Sequence, residues 1–354
     1  MVRDEGGERL RRAETPEPES AGAGAATTGR GPAPLRLGGR TLDRLVVMAV
    51  VNRTPDSFFD RGATYAFDAA LAAVGAAAEA GADIVDIGGV KAGPGEEVGV
   101  AEELRRVVDL VAAVRERYPG VLVSVDTWRA EVGEAVAEAG AHLLNDTWGG
   151  PDPRLAEVAA AYDIGLVCAH AGRLRPRTRP HRIAYDDVVE DVVRYVTAEA
   201  ERAVALGVRR DAILIDPAHD FGKNTRHSLE ITRRLGELAA TGWPVLVAVS
   251  NKDFIGETLG RPVDKRGVGT MAVLGVSAWL GARVFRVHDA AGARRALDAV
   301  AALRRDFAEP GQGGPAQPGP GGSAPAGVDD PVFDRDHAVR SAAAAGDQRV
   351  VDSR

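Results

Sequence analysis

Between residues 45 and 305 a short β-branched apolar run recurs every few tens of residues, and Ala-, Leu- and Glu-rich stretches with helical spacing fill the intervals. The runs fall at 45–51, 83–87, 121–125, 141–144, 164–168, 212–215, 244–249 and 283–287. The spacing predicts helices at about 66–80, 97–117, 129–139, 152–162, 186–206, 226–240, 267–280 and 291–306. Strict alternation of strand and helix implies a parallel sheet. A phrase of the type Ala80-Gly81-Ala82-Asp83 recurs at 139–142 and 280–283, as expected where a helix ends on a C-cap glycine and turns directly into a strand. Eight such units predict an α/β fold, a (β/α)8 TIM barrel spanning 41–308. An open doubly wound sheet would alternate in the same way, but no GxGxxG follows the first run and no GxxxxGK[ST] occurs.

Composition adjusts this picture at the ends. Residues 1–40 and 309–354 are rich in Gly, Ala and Pro, a composition that buries too little apolar surface to order itself, so both are expected to be disordered tails. The C-terminal stretch 306–354 holds eight acids and four arginines, more than half of the net charge of −7. A mildly acidic body argues against general nucleic-acid binding. With Cys168 as the sole cysteine no intrachain disulfide can form, and neither a signal core nor a bilayer-length apolar run is present. Cytoplasmic location is the resulting expectation, with no membrane or nucleic-acid partner.

Barrel sites lie at the carboxyl ends of the strands. The residues there are Asn52, Gly88-Gly89, Asp126, Asn145-Asp146, His170, Asp216, Ser250-Asn251-Lys252, Arg286 and His288. Asp126 and Asp146 taken singly read as N-caps or turn residues. Capping, however, has no use for Lys252, Arg286 and His288 beside them. Asp126, Asn145 and Asp216 can meet the donor and acceptor edge of a fused nitrogen heterocycle. Arg286 offers a fork for phosphate or carboxylate, with His288 close by, and Asn52 supplies a neutral oxygen suited to Mg²⁺ carried by phosphate. Lys252 falls at the junction, where an ion pair with Asp216 is the plainer alternative. A metal-hydrolase grouping of His170, His219, Asp220 and His288 lacks the HxH and HExxH spacings.

Seven segments, MAVVNRTPDSFFDRG (48–62), GADIVDIGG (81–89), SVDTWRAEV (124–132), AGAHLLNDTWGG (139–150), ILIDPAHDFGKN (213–224), VLVAVSNKDFIGETLG (245–260) and FRVHD (285–289), together resemble dihydropteroate synthase. The resemblance implies a homodimeric, Mg²⁺-dependent enzyme of folate synthesis. Such an enzyme condenses 6-hydroxymethyl-7,8-dihydropterin pyrophosphate with 4-aminobenzoate. It further implies that Asp126, Asn145, Asp216 and Lys252 hold the pterin and that Asn52, Arg286 and His288 hold Mg²⁺ and pyrophosphate. Lys252, Arg286 and His288 would be catalytic, Asn52 the metal contact, and Pro94 and Phe221 the lining of the aminobenzoate site. A pterin-dependent methyltransferase of a corrinoid enzyme shares some of these contacts, but the segments around Phe221, Ser250 and Arg286 match the synthase pattern better.

The chain departs from the family pattern at the reacting centre. Where the family has Gly-Gly-Glu-Ser-Thr-Arg-Pro-Gly, residues 88–95 read Gly-Gly-Val-Lys-Ala-Gly-Pro-Gly, so Ala92 and Gly93 replace a threonine and an arginine. Losing such an oriented anion contact costs ~2–4 kcal/mol of barrier. Lys91 is a possible substitute cation. Asn251 and Asp253 replace Arg and Ser beside Lys252, with Asp253 adding negative charge, while Ala169 replaces a methionine and Ala218-His219-Asp220 a Gly-Ile-Gly turn. Two readings follow: a condensing synthase with an altered second loop, or an inactive or repurposed paralogue that keeps a pterin-like pocket. The loop resembles that of the diverged actinobacterial second paralogue, so low or absent activity is expected.

Overall fold

The structure, a computed structural model, describes residues 34–55, 62–178 and 184–304. The described residues open with an antiparallel hairpin, β1 (Arg36–Leu37) and β2 (Arg40–Thr41). Then follow β3 (Val46–Asn52), α1 (Phe67–Glu79), β4 (Ile84–Gly88), α2 (Val100–Arg117), β5 (Leu122–Asp126), α3 (Ala130–Glu138), β6 (Leu143–Asp146) and α4 (Arg154–Ala161). The second half runs β7 (Gly165–Ala169), α5 (Val188–Ala205), β8 (Ile213–Asp216), α6 (Thr225–Arg233), α7 (Leu235–Ala239), β9 (Leu246–Val247), α8 (Asp253–Leu259), α9 (Gly267–Trp279), β10 (Val284–Val287) and α10 (Ala290–Leu303).

Strands β3 to β10 form one parallel sheet in the order β8-β7-β6-β5-β4-β3-β10-β9. The ends meet where Ile215 pairs with Val245 and its N–H donates to Pro244 O at 3.0 Å, which closes the TIM barrel. Side chains alternate across a strand, so each strand serves two cores. Val47, Val85, Val123, Leu144, Ile215 and Phe285 face outward into the layer between sheet and helices. Their neighbours Met48, Ile84, Leu122, Leu143, Leu214 and Val284 face inward and fill the barrel's floor. Each fully buried aliphatic side chain contributes ~1.5–3 kcal/mol.

Four features differ from expectation. Residues 34–40, expected to be part of a disordered tail, instead carry the hairpin, and Leu35, Leu37 and Leu42 plug the floor core with almost no exposure. The run 244–249 keeps regular pairing only over Leu246–Val247. The helix expected at 226–240 divides at Arg234, whose φ of −104° is not helical. Finally, α8 was not expected: Phe254 and Ile255 bury its inner side, and Gly260 ends it in the left-handed region at φ 61°. Residues 1–33 of the expected tail 1–40, and all of the expected tail 309–354, lie outside the described residues, as do 56–61 within one motif segment. Among the described residues no helix is long and apolar enough to cross a membrane.

Candidate ligand-binding site

Counting by two from the apolar floor locates the site. Ile84 leads to Asp86 and Gly88, Leu122 to Ser124 and Asp126, Leu143 to Asn145, Leu214 to Asp216, and Val284 to Arg286 and His288. These residues share the inward face one and two layers above the floor. Parallel register sets Asn52 opposite Gly88, Gly88 opposite Asp126 and Asp126 opposite Asn145. The strand geometry therefore gathers residues 52 to 145 along one arc of the mouth.

Arg286 crosses the barrel to join this arc. Its Nε donates to Asp86 Oδ2 at 2.6 Å and its Nη2 to Asp126 Oδ2 at 3.0 Å, while Asn145 Nδ2 donates to the same Asp86 oxygen at 3.0 Å. Asp86 is fully buried, and among the described residues its Oδ1 has no hydrogen-bond partner. Burial pushes the Asp126 carboxyl up to about 7 against the pull of Arg286, with the nearby Asp86 charge adding to the rise. Thr147 Oγ1 donates to the other Asp126 oxygen at 3.0 Å. Asp216 is raised by burial and accepts the Ala218 N–H at 2.7 Å. The Lys252 ammonium, lowered by burial, donates to His219 O and sits 4.7 Å from the centre of the Phe221 ring. Of the carboxylates that favour its charge, Asp220 acts most strongly and Asp216 next, so the plainer ion pair with Asp216 is not the whole account.

The remaining strand-end residues divide between site and scaffold. His288 Nδ1 lies 2.9 Å from Ser250 Oγ, and Asn52 Oδ1 would be 3.0 Å from a Cβ at Gly88, so glycine there leaves the amide room. Asp146 faces outward and accepts the Gly150 N–H at 2.7 Å, which is the turn role its residue type allowed. Asp126 has no such capping role and points inward. His170 pairs with Asp191 at 2.9 Å and is pushed down to about 4 by burial, while His219 is buried against Thr232. Among the described residues no three His, Cys, Asp or Glu side chains are grouped to hold a metal ion.

Beyond Lys252 opens a cavity of about 370 Å³, lined by Pro94, Trp148, Phe221 and Phe254 among others. Trp148 meets Phe221 edge to face, with centroids 5.0 Å apart. Pro94 and Phe221 therefore share one space, and Ala92 and Gly93 form part of its wall. Arg177 holds this loop from across the mouth, its Nε donating to Gly93 O at 3.2 Å and its Nη1 to Glu96 O. Lys223, pushed down to about 7 by burial, donates to His170 O at 2.6 Å, Phe221 O at 2.9 Å and Ala218 O at 3.2 Å. Asp253 is largely exposed and its charge is met by Arg266 at 2.9 Å, which offsets the repulsion expected from it.

The loop after β8 is strained where family glycines are absent. Ala218 and Asp220 have φ of 48° and 67°, a region that costs a residue with a Cβ ~1–2 kcal/mol. Asp220 offsets its cost by accepting Ser228 Oγ–H at 2.9 Å and the Phe254 N–H at 3.2 Å, which caps α8 from outside. Asp86 joins the inward-facing set although it stands inside the apolar run 83–87 and not at its end.

A family model described as Pterin binding enzyme matches residues 48–288. The protein named inactive dihydropteroate synthase 2 of Mycobacterium leprae is 54% identical over 266 residues, covering 74% of this chain and 91% of that one. The dihydropteroate synthase of Escherichia coli is 38% identical over 245 residues, covering 69% and 86%. A solved Xanthomonas albilineans dihydropteroate synthase in complex with 7,8-dihydropteroate superposes with a TM-score of 0.66 at 36% identity, covering 76% of this chain and 98% of that one. The reading as a condensing synthase is corrected by these relatives, since Mycobacterium proteins at 54% and 55% identity carry the name inactive and the Escherichia coli synthase stands at 38%. Its physical counterpart is the second loop, where Ala92 and Gly93 line the cavity in place of a threonine and an arginine. Fold, register and sequence agree that the chain belongs to the pterin-binding enzyme family of dihydropteroate synthase-like TIM barrels.

Proposed function

We propose that this chain is a pterin-binding barrel that has kept the ring-binding set and given up the condensation. The observation that carries this reading is the shared inward face of Asp126, Asn145 and Asp216, with Lys252 beside them, next to a cavity wall of Ala92 and Gly93. In this reading the two carboxylates and the amide hold the ring's polar edge and Lys252 meets its acceptor side. Asn52, Arg286 and His288 face the leaving-group side. Arg286 already shares two of its N–H groups with Asp86 and Asp126, so an incoming anion competes with buried carboxylates for it. Support for the ring comes from the Xanthomonas relative, which was solved with 7,8-dihydropteroate bound.

Magnesium fits this site only as a passenger. Asn52 offers one neutral oxygen, and Mg²⁺ binds through one or two protein oxygens when phosphates and waters supply the rest. A diphosphate would bring the ion with it, held at Asn52. A homodimer is supported by the outer side of α9 and α10, where Val268 is 87%, Trp279 60% and Leu303 73% exposed. Light scattering of the full chain tests that assembly.

Calorimetry with 7,8-dihydropteroate or 6-hydroxymethylpterin tests the main reading, with binding expected in wild type and lost in Asp126→Asn. Condensation measured beside the Escherichia coli enzyme should be slower by about thirtyfold to a thousandfold, given ~2–4 kcal/mol for a lost oriented contact. A wild-type chain that ignores pterins, or one that condenses at the normal rate, overturns the proposal.

A further inference from the structure

The second loop has glycine at position 93 where the family has arginine, and the fold brings a different arginine to the same place. Arg177 stands on the loop after β7, 84 residues further along the chain, and its Nε donates to Gly93 O at 3.2 Å while its Nη1 donates to Glu96 O. Among the described residues these bonds spend two of its five N–H groups, so three remain together with the charge. The next residue, Thr178, lines the cavity with Ala92, Gly93 and Pro94. The guanidinium is thus fastened to the cavity's rim from outside the second loop.

The local backbone is strained to hold it there. Arg173 and Arg177 have φ of 57° and 62°, a region that disfavours any residue with a Cβ. Such strain persists where surrounding contacts fix it, as in ligand clamps. From Ala171 to Thr178 the loop has three arginines and no acid, so its own segment does not neutralise Arg177. The space beside Gly93 stays open as well: among the described residues a Cβ added there would meet only Lys91 Cε, at 3.5 Å, which is an ordinary contact.

The rim as a whole carries no clear excess of either sign. Glu96 and Glu97 stand on the second loop beside Lys91, Asp220 lies in the fields of Lys252 and Lys223, and Asp253 is met by Arg266. Donor direction, not net charge, therefore sets what the rim selects. A guanidinium anchored along one edge by carbonyls has its remaining donors in the fixed fork that matches a planar carboxylate. Because that anchor holds the fork in one position, it grips a bound acid alike before and during reaction, which gives affinity without rate.

We infer that Arg177 reads the carboxylate of a small aromatic acid in this cavity, supplying from a separate loop the anion contact that Gly93 cannot. The inference deepens the pterin-binding reading, on which it rests for the cavity's place beside the ring pocket.

Calorimetry on the full chain, with and without saturating 6-hydroxymethylpterin, compares 4-aminobenzoate with 4-aminobenzamide, which share the ring and the amine and differ in the charge of the para group. Wild type should bind the acid about tenfold or more tightly than the amide, as a charge-assisted pair exceeds a neutral one. Arg177→Gln should bring the acid down to the level of the amide, with affinity for the amide and for 6-hydroxymethylpterin unchanged. Adding Gly93→Arg to Arg177→Gln should restore the preference, because the restored side chain has room.

Equal binding of acid and amide by wild type, or binding of neither, overturns the inference. An equal loss of both probes in Arg177→Gln does so too, since it would mean that Arg177 only fastens the loop. A preference that survives Arg177→Gln, whether or not Lys91→Ala then removes it, and a double variant that stays indifferent count against it in the same way. Pterin binding without a preference for the acid sinks this proposal alone, whereas the preference in a chain that ignores 6-hydroxymethylpterin sinks the reading of the ring pocket and leaves this one standing.

Discussion

Arg286 on β10 and Asp86 on β4 are joined at 2.6 Å across the barrel, and neither strand neighbours the other in the sheet. The contact spans β3, which lies between them, so the ion pair ties the barrel internally in a way that strand pairing does not. Removing one partner of a buried pair leaves an uncompensated charge.

Asp86→Ala is therefore expected to lower unfolding free energy by ~3 kcal/mol, because Arg286 and Asn145 both lose their shared acceptor. Urea titration measures it. The double variant Asp86→Ala/Arg286→Met should be less destabilised than the single one, and additivity of the two losses would show that the pair is not coupled.

Asp146 supplies a pH signature. Burial pushes its carboxyl up to about 7 against the pull of the backbone N–H groups of Gly150, Trp148 and Gly149. A group whose folded pKa exceeds its unfolded value stabilises the native state fully below the unfolded pKa, and that contribution is lost as pH rises through about 7. Relative to Asp146→Asn, wild type should lose ~2 kcal/mol between pH 5 and pH 8. A gap between the two proteins that stays constant over this range contradicts the assignment.

Ala218 holds φ at 48°. Replacing it with glycine removes that strain at the cost of a more flexible unfolded chain, so a net gain of ~0.5–1 kcal/mol is expected. Thermal unfolding of Ala218→Gly should show a higher midpoint, and a lower one would mean that the methyl group contributes packing that outweighs the backbone strain.

The N-terminal plug can be separated from the mouth. Leu37→Ala leaves a cavity in the floor core, expected to cost ~2–4 kcal/mol, while affinity for a pterin analogue stays unchanged. Loss of affinity at a stability that still keeps the protein folded would show that floor and mouth are not independent.

Much of this arrangement is legible from spacing. Eight apolar runs located eight barrel strands within a residue or two at most ends, because strand cores are set by local β-branched character. Asp126, Asn145, Asp216 and Arg286 emerged as strand-end residues, and the fold places all four on one inward face. Asp86 escaped because it stands inside its run, yet it lies two positions before Gly88 and so has the same parity as the others. The hairpin escaped because its two-residue strands are too short to give a period, and its leucines find their partners only in the assembled floor. Helix α8 was hidden by its motif: Ser250 to Gly260 was read for its charges, although Phe254, Ile255 and Leu259 already have helical spacing. The triple carbonyl grip of Lys223 depends on a loop shape that no linear pattern encodes.

The alternation that places leucines beneath carboxylates makes the ionic ring a guard on strand alignment. Sliding any of these strands by one position would turn Asp86, Asp126 or Arg286 into the oily layer beneath the helices, at a penalty that no turnover assay would detect. A barrel of this design is obliged to retain these charges whether or not any chemistry uses them.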